Sequence, residues 1–259
     1  MSLPDQPVAA QHPGSPAGSG DAGGIVPPGV ETQAAPGTLA ALLARSPWAQ
    51  ALPAEERARV ASEITVRPLP AGAHAARKGE PVEHWFGIVE GLVKINTVSP
   101  EGKAVTFTGI SAGGWVGEGS LLKNERRKYD VVAMRDSRVA FMPRATFQRL
   151  LDTSIPFNRY LLVQLNERLG QFIAMVEYDR LLGCDERVAR CVAELFNPVL
   201  YPGVGPKLQI SQEEIGNLSG CSRQRANQAL RRLEEAGLLR VEYGGIQVLD
   251  LQGLKGFAV

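Results

Sequence analysis

The chain has 259 residues, 44% of them apolar and 21% charged, with a formal net charge of +1. That length carries two domains with cores of their own, and that apolar share is globular. A balance so near neutrality excludes bulk attraction to a polyanion, so nucleic-acid binding requires a local basic patch. No run of about 18 apolar residues exists, so no membrane span and a cytoplasmic protein are expected.

Up to Gly37 the chain holds seven prolines and seven glycines and neither lysine nor arginine. The basic start and apolar stretch of a signal peptide are missing, as are the arginines of a transit peptide. Residues 1–36 are therefore expected to be a disordered tail, because burial cannot offset its ordering entropy.

From Thr38, a cap candidate, "TLAALLARSPWAQALPAEERARVASEI" has helical spacing, interrupted at Pro53. Between Thr65 and Pro143 the pattern becomes short β-rich runs: "TVRPL", "HWFGIV", "LVKINTV", "KAVTFTGI", "VVAM" and "SRVAFM". Gly and Pro punctuation between them indicates a small antiparallel barrel or roll. "NRYLLVQLNERLGQFIAMVEYDRLL" then reads as one long helix. Leu162, Leu165, Leu169, Phe172 and Val176 follow a 3-4-3-4 seam that fits pairing with a second copy or packing on its own domain.

Gly183 breaks that helix, and a further domain is expected over 183–259, after a β-rich domain at 37–153 and the long helix at 154–182. "ISQEEIGNLSG" begins with Ser211 and Glu214 at capping-box spacing. Gly220 turns the chain, Ser222 caps a second helix, "RQRANQALRRLEEAG", and Gly237 ends it. Ala226, Ala229, Leu230 and Leu233 form its apolar face. Two short strands around Gly244-Gly245 complete a winged helix-turn-helix.

In that motif the second helix enters the major groove by its N-terminal end. Its four arginines precede any acidic residue. Arg223, Gln224, Arg225, Gln228 and Arg231 are the candidate base and phosphate contacts, since Arg and Gln bond base edges bidentately. Ser211 and Ser222, with the free N–H groups beside them, are the candidate phosphate contacts. Double-stranded DNA is the expected partner.

The three cysteines, Cys184, Cys191 and Cys221, are an odd, sparse set and are expected to be small buried or half-buried thiols in a reducing compartment. Cys184 and Cys191 lie two helical turns apart, about 10.5 Å, beyond disulfide reach. "GISAG", Gly109–Gly113, matches a nucleophile elbow, but all three histidines, His12, His74 and His84, precede Ser111 and no helix follows it. No metal-ligand spacing or phosphate loop is present, so no enzyme and no metal are expected.

At "ISQEEIGNLSGCSRQRANQALRRLEEAGLL" the sequence resembles the Crp/Fnr family of bacterial transcription regulators, over about residues 38–250. The resemblance implies an α+β protein: an N-terminal antiparallel, cyclic-nucleotide-binding-like β-roll, a long dimerisation helix and a C-terminal winged helix-turn-helix. It implies a homodimer on a pseudo-palindromic operator that recruits or blocks RNA polymerase. In cyclic-AMP-binding relatives a Glu accepts from the ribose and an Arg clamps the phosphate. Gly117, Glu118, Leu121 and Leu122 match that motif, with Ser120 inside it, and Arg127 falls at the Arg position. Lys128-Tyr129 replaces Ser-Ala in a loop one residue shorter, and Phe172 and Ile173 replace two small polar residues that meet adenine. The site is thus poorly matched to cyclic AMP. Arg126, Arg127 and Lys128 suit a more anionic ligand such as a cyclic dinucleotide; a vestigial pocket, or a nucleotide-binding module that binds no DNA, is the other reading. An iron–sulfur cluster needs four thiolates where three exist, and haem is left open. Arg223 matches the family's guanine-reading Arg. Gln224 stands for the usual Glu and Gln228 for a common second Arg, which alters the expected half-site.

Overall fold

The computed structural model describes residue 35 and residues 37–102 and 104–258; apart from Ala35, the expected tail lies outside them. Three short helices come first: α1 (Leu39–Arg45), α2 (Pro47–Gln50) and α3 (Ala54–Glu63). Thr38 caps α1, its hydroxyl accepting from the Ala41 amide, and Glu55 and Glu56 lie in the first turn of α3, where the helix dipole favours acids.

Eight strands and one short helix follow: β1 (Thr65–Leu69), β2 (His74–Ala76), β3 (His84–Glu90), β4 (Leu92–Val98), β5 (Ala104–Ser111), β6 (Trp115–Val116), α4 (Glu118–Leu122), β7 (Asp130–Ala133) and β8 (Ser137–Pro143). They form two four-stranded antiparallel sheets, ordered β1-β8-β3-β6 and β2-β7-β4-β5. Phe86, Ile88, Val139 and Phe141 of the first sheet share one core with Val93, Ile95, Ile110 and Val131 of the second. This is the expected roll. The β-rich runs all became strands; β2 and β6 are too short to show a period in the sequence.

A second core lies between the roll and its helices. Trp48, Trp85 and Trp115 are fully buried with Phe147 of α5 (Arg144–Thr153) and Phe157 of α6 (Ile155–Leu181). Trp85 and Trp115 stack at 4.4 Å between centroids, and Trp48 meets Trp115 edge-on at 5.3 Å. Both geometries suit the ring quadrupoles. The two indole N–H groups of Trp85 and Trp115 are satisfied inside, by Glu118 Oε2 at 3.2 Å and Ser46 Oγ at 2.9 Å.

Helix α6 is capped by Ser154 and carries Pro156 in its first turn. Its buried residues are Phe157, Leu161, Gln164, Arg168 and Gln171. Opposite them Leu162, Leu169, Ile173 and Val176 are 68, 57, 61 and 52% exposed. The 3-4-3-4 seam read in the sequence is therefore mostly the solvent-facing stripe. The face that packs on its own chain is a second seam, polar over its last three positions.

After Gly183 come α7 (Cys184–Glu194), β9 (Lys207–Leu208), α8 (Gln212–Ser219), α9 (Arg223–Glu235), β10 (Leu239–Glu242), β11 (Gly245–Val248) and α10 (Leu251–Gly256). Val188 and Val192 of α7, Ile215 and Leu218 of α8, and the four apolar residues of α9 form the third core. β11 pairs with both β10 and β9. Among the described residues no helix is long and apolar enough to cross a membrane.

The cysteines depart from expectation. Cys184 and Cys221 are joined as a disulfide, with Cα atoms 6.2 Å apart, and Cys191 alone is a thiol. Spacing excludes the 184–191 pair but is silent on 184–221, because the turn before α9 returns over the start of α7 only in the folded domain.

Replacing Phe157 by Ala, which removes the α6 ring that Trp48 and Trp85 meet edge-on, is expected to cost about 3–5 kcal/mol. Urea unfolding followed by tryptophan fluorescence measures it.

Candidate nucleic-acid interface and effector pocket

The first element of the interface is α8. Ser211 Oγ accepts from the Glu214 amide at 3.2 Å, and Glu214 Oε2 accepts from the Ser211 amide at 2.7 Å, a complete capping box. Gly220 at φ +65° ends the helix. Gly216 is required for a different reason: a Cβ there would stand 2.9 Å from the Cys221 carbonyl oxygen. That close approach is what permits the tight turn into α9.

Ser222 caps α9 by accepting from the Arg225 amide at 3.3 Å. Ala226, Ala229, Leu230 and Leu233 are buried. Ser222, Arg223, Gln224, Arg225, Gln228 and Arg231 are all exposed, as is Ser211. Arg225 Nη1 donates to Gln228 Oε1 at 3.3 Å, which orients both side chains along one face. The structure thus brings Ser222, Arg223, Gln224 and Arg225 together at the free end of α9, where unpaired amides and the helix dipole favour an anion, while Arg231 lies in the third turn and Ser211 caps α8.

The four arginines divide. Arg232 pairs with the buried Asp185 on α7 and so belongs to the packing of the helices. Glu234 is also structural: its Oε1 accepts from the Val241 amide at 2.9 Å and anchors the wing. The wing turns at Tyr243 and Gly244, the latter at φ +71°. Tyr243 is fully exposed at the tip. Sequence reading passed over it; an aromatic residue at a two-residue hairpin turn is the available signal. Arg223 borders a groove of about 250 Å³ between the start of α8 and the wing.

In the roll, Gly117 adopts φ +101° and leads into α4, where Glu118 and Ser120 are buried. Arg127 is buried against them. Its Nη1 donates to the Gly117 carbonyl at 2.9 Å, its Nη2 to the His84 carbonyl, and the guanidinium lies 4.8 Å from the Phe86 ring centroid. A Cβ at Gly117 would come within 2.5 Å of Nη1, so glycine there serves both the left-handed backbone and the seat of Arg127. Burial lowers the Arg127 pKa, countered by Tyr129, Glu118 and Glu80. Burial pushes the Tyr129 hydroxyl up to about 12, with Glu118 adding to it.

The neighbouring cations do not converge with Arg127. Arg126 Nη1 donates to the Gly79 carbonyl at 2.9 Å, and Lys128 pairs with Glu125 at 3.3 Å. Phe172 is half-buried and Ile173 exposed on α6. The α6 side chains with bonds into the roll are Gln164 and Arg168, which donate to the Trp115 carbonyl at 3.0 and 3.3 Å. These two were missed by sequence reading.

Ser111 ends β5, and its buried hydroxyl donates to the Leu195 carbonyl at 3.0 Å. It joins the roll to the segment after α7. Among the described residues no group of three or more His, Cys, Asp or Glu is placed to hold a metal.

A β-roll joined by a long helix to a winged helix-turn-helix with an exposed basic reading helix defines a DNA-binding transcription regulator. Comparison with known proteins agrees. The cyclic nucleotide-binding domain profile matches residues 66–154, and the Crp-like helix-turn-helix domain profile matches residues 186–257. The chain is similar to the transcriptional regulator SdrP of Thermus thermophilus, 29% identical over 180 residues, covering 69% of this chain and 85% of that one. It is 28% identical over 213 residues to the cyclic AMP receptor protein of the same organism, covering 82% of this chain and 97% of that one. The fold matches that of FixK2 from Bradyrhizobium japonicum with a TM-score of 0.63 at 17% identity, covering 76% of this chain and 98% of that one. The chain belongs to the Crp/Fnr family of transcription regulators.

Replacing Arg232 by Ala leaves Asp185 buried without its partner and is expected to cost the DNA-binding domain about 1–3 kcal/mol. Arg231→Ala, on the exposed face, should stay within about 0.5 kcal/mol of the parent. Thermal unfolding of the two variants side by side separates the ion-paired arginine from the exposed one.

Proposed function

We propose that the protein is a cytoplasmic homodimer that reads a pseudo-palindromic operator through α9, controls RNA polymerase there, and responds to a nucleotide-type effector in the roll. The observation that carries the DNA reading is the exposed first turn of α9. Every predicted contact is free of the core, while Arg232, itself half exposed, is tied to the buried Asp185. Operator symmetry follows from pairing, and pairing is supported by the exposed Leu162, Leu169, Ile173 and Val176 stripe, since a helix rarely leaves such a seam in water. Tyr243 joins the proposed interface as a wing-tip contact to the DNA backbone.

For the effector, the support is the Gly117–Glu118 turn beside Arg127, together with the similarity to a protein named as a cyclic AMP receptor. A cyclic mono- or dinucleotide would take Arg127 as a charge-assisted clamp. One observation favours a second reading, an effector-independent regulator with a vestigial pocket: the Arg127 donors already bond the Gly117 and His84 carbonyls. No haem or other cofactor is invoked.

The deciding experiment combines calorimetry of cyclic mono- and dinucleotides with operator-binding assays. Arg127→Ala is expected to weaken effector binding by about 1.5–3 kcal/mol while leaving non-specific DNA binding intact. If no nucleotide changes operator affinity by about fivefold, the effector reading is withdrawn.

Two further outcomes are expected. Arg223→Ala should cost about 1–3 kcal/mol and relax preference at one base pair, whereas a loss equal on all sequences would make it a phosphate contact. Sedimentation at micromolar concentration should give a dimer; a monomer that still binds its operator would contradict the pairing seam.

A further inference from the structure

We propose that Cys184 and Cys221 are a redox-responsive dithiol–disulfide pair through which a hydroperoxide weakens the grip of the protein on DNA; this rests on the DNA-binding reading above. Cys184 is the first residue of α7, directly after Gly183, and Cys221 directly precedes Ser222, the cap of the reading helix. Their 6.2 Å Cα separation lies within the disulfide range. A protein that works on DNA in a reducing compartment meets disulfides as transient, sensing bonds rather than permanent ones.

The surroundings favour reaction at this pair. Cys184 opens an 11-residue helix, whose free amides stabilise a thiolate. Cys221 Sγ lies 3.6 Å from Arg187 Nη2, a second positive partner. Cys221 also lines an open cleft of about 500 Å³ between β5, α6, α7 and α8, a path for a small oxidant. Cys191 lines the same cleft and is the internal control. Burial, with Glu194 nearby, pushes its thiol up to about 12, which keeps it protonated and unreactive.

The chemistry balances. The Cys221 thiolate attacks a peroxide oxygen, the O–O bond breaks, and an alcohol or water leaves with a sulfenic acid formed at Cys221. The Cys184 thiolate attacks that sulfur, the S–S bond forms, and hydroxide departs as water. Two thiols supply the two electrons that reduce one hydroperoxide. A small dithiol reverses the bond by exchange.

Arg187 connects the pair to the joint with the long helix. Its Nη1 donates to Asp179 Oδ1 at 2.7 Å, near the end of α6, so this ion pair spans Gly183. Arg187 reaches both at once, Nη1 to Asp179 and Nη2 to Cys221 Sγ. A reduced Cys221 thiolate draws the guanidinium towards the turn before α9, and the uncharged disulfide sulfur relaxes that pull while the Asp179 pair remains. The disulfide also ties the turn that aims Ser222 and Arg223. Oxidation therefore favours the joint as drawn and opposes the reorientation that fitting two half-sites requires.

The test uses the full chain, kept in dithiothreitol or treated with hydrogen peroxide, then unfolded in guanidinium so that every remaining thiol reacts, alkylated with N-ethylmaleimide and digested for mass spectrometry. A linked peptide pair lighter by about 2 Da, joining Cys184 to Cys221 and reversed by dithiothreitol, is expected, with Cys191 alkylated throughout. A duplex selected from a random-sequence pool by the reduced protein then serves as the binding probe. Oxidised protein should bind it at least about fivefold more weakly. Cys184→Ser and Cys221→Ser should abolish that difference, and Cys191→Ser should keep it. Alkylation of both Cys184 and Cys221 after peroxide overturns the proposal, and so does a crosslinked protein with unchanged or tighter binding. If the reduced protein retains no duplex while the crosslink still forms, the DNA-binding reading fails first and takes the regulatory claim with it.

Discussion

The whole arrangement turns on Arg168. It is buried in the middle of α6, and its hydrogen bonds go to neutral oxygens. Its guanidinium donates to the Trp115 carbonyl at 3.3 Å on the roll and to the Tyr201 hydroxyl at 3.4 Å in the segment after α7. Tyr201 in turn donates to the Gly109 carbonyl at 2.9 Å, back on the roll. Desolvation alone would lower the Arg168 pKa, yet Tyr201, Glu118 and Tyr129 more than offset it and the net shift is upward. A charge taken out of water is costly unless its donors are used. Here Nη1 and Nη2 are used by groups from two parts of the chain while Nε finds no partner among the described residues, so what is recovered of the cost depends on roll, helix and DNA-binding segment staying together.

Around that point hydrogen bonds cross the junction beside an apolar patch in which Leu92 of the roll joins the core of α7, α8 and α9. Gln171 Nε2 donates to Glu194 Oε2 at 3.2 Å, Asn197 Nδ2 to Glu167 Oε1 at 2.9 Å, and Ser111 Oγ to the Leu195 carbonyl. An apolar junction would tolerate sliding; directional bonds at this many points allow few alternatives. Helix α6 therefore has two unlike faces. One is fixed to its own chain, by Phe157 and Leu161 at its start and by hydrogen bonds further along, and the other leaves Leu162, Leu169, Ile173 and Val176 exposed.

The sequence disclosed most of what has a local cause. Thr38, Ser211 and Ser222 are caps because their hydroxyls meet amides three residues away, and that spacing is visible in the letters. The six β-rich runs are strands because their β-branched and aromatic residues sit between Gly and Pro. The buried face of α9 follows a helical period. What stayed hidden depends on residues far apart. Gln164, Arg168 and Gln171 look like solvent-facing residues of an amphipathic helix, and only Trp115, Tyr201 and Glu194 make their burial tolerable. The Cys184–Cys221 pair arises from a return of the chain that no spacing rule encodes. Arg231 and Arg232 are adjacent and alike, and the buried Asp185 alone tells them apart.

The two candidate sites differ in readiness, and that difference constrains how one can act on the other. The reading end of α9 is preformed: capped by Ser222, exposed, and with Arg225 and Gln228 already aligned. Arg127 is instead occupied by its own loop, bonded to the Gly117 and His84 carbonyls and stacked on Phe86. A ligand phosphate at that position has to replace carbonyl partners, so its contribution is the difference between two sets of hydrogen bonds rather than the whole of one. Releasing those carbonyls frees Gly117 at the head of α4, and the next residue, Glu118, holds the Trp85 indole against Trp115. Trp115 supplies the carbonyl on which Gln164 and Arg168 depend. The roll thus reaches the long helix through Gly117, Glu118, Trp85, Trp115 and Arg168 without any contact to DNA. What an effector can alter along that chain is where the reading helices are placed, because their chemistry is complete without it.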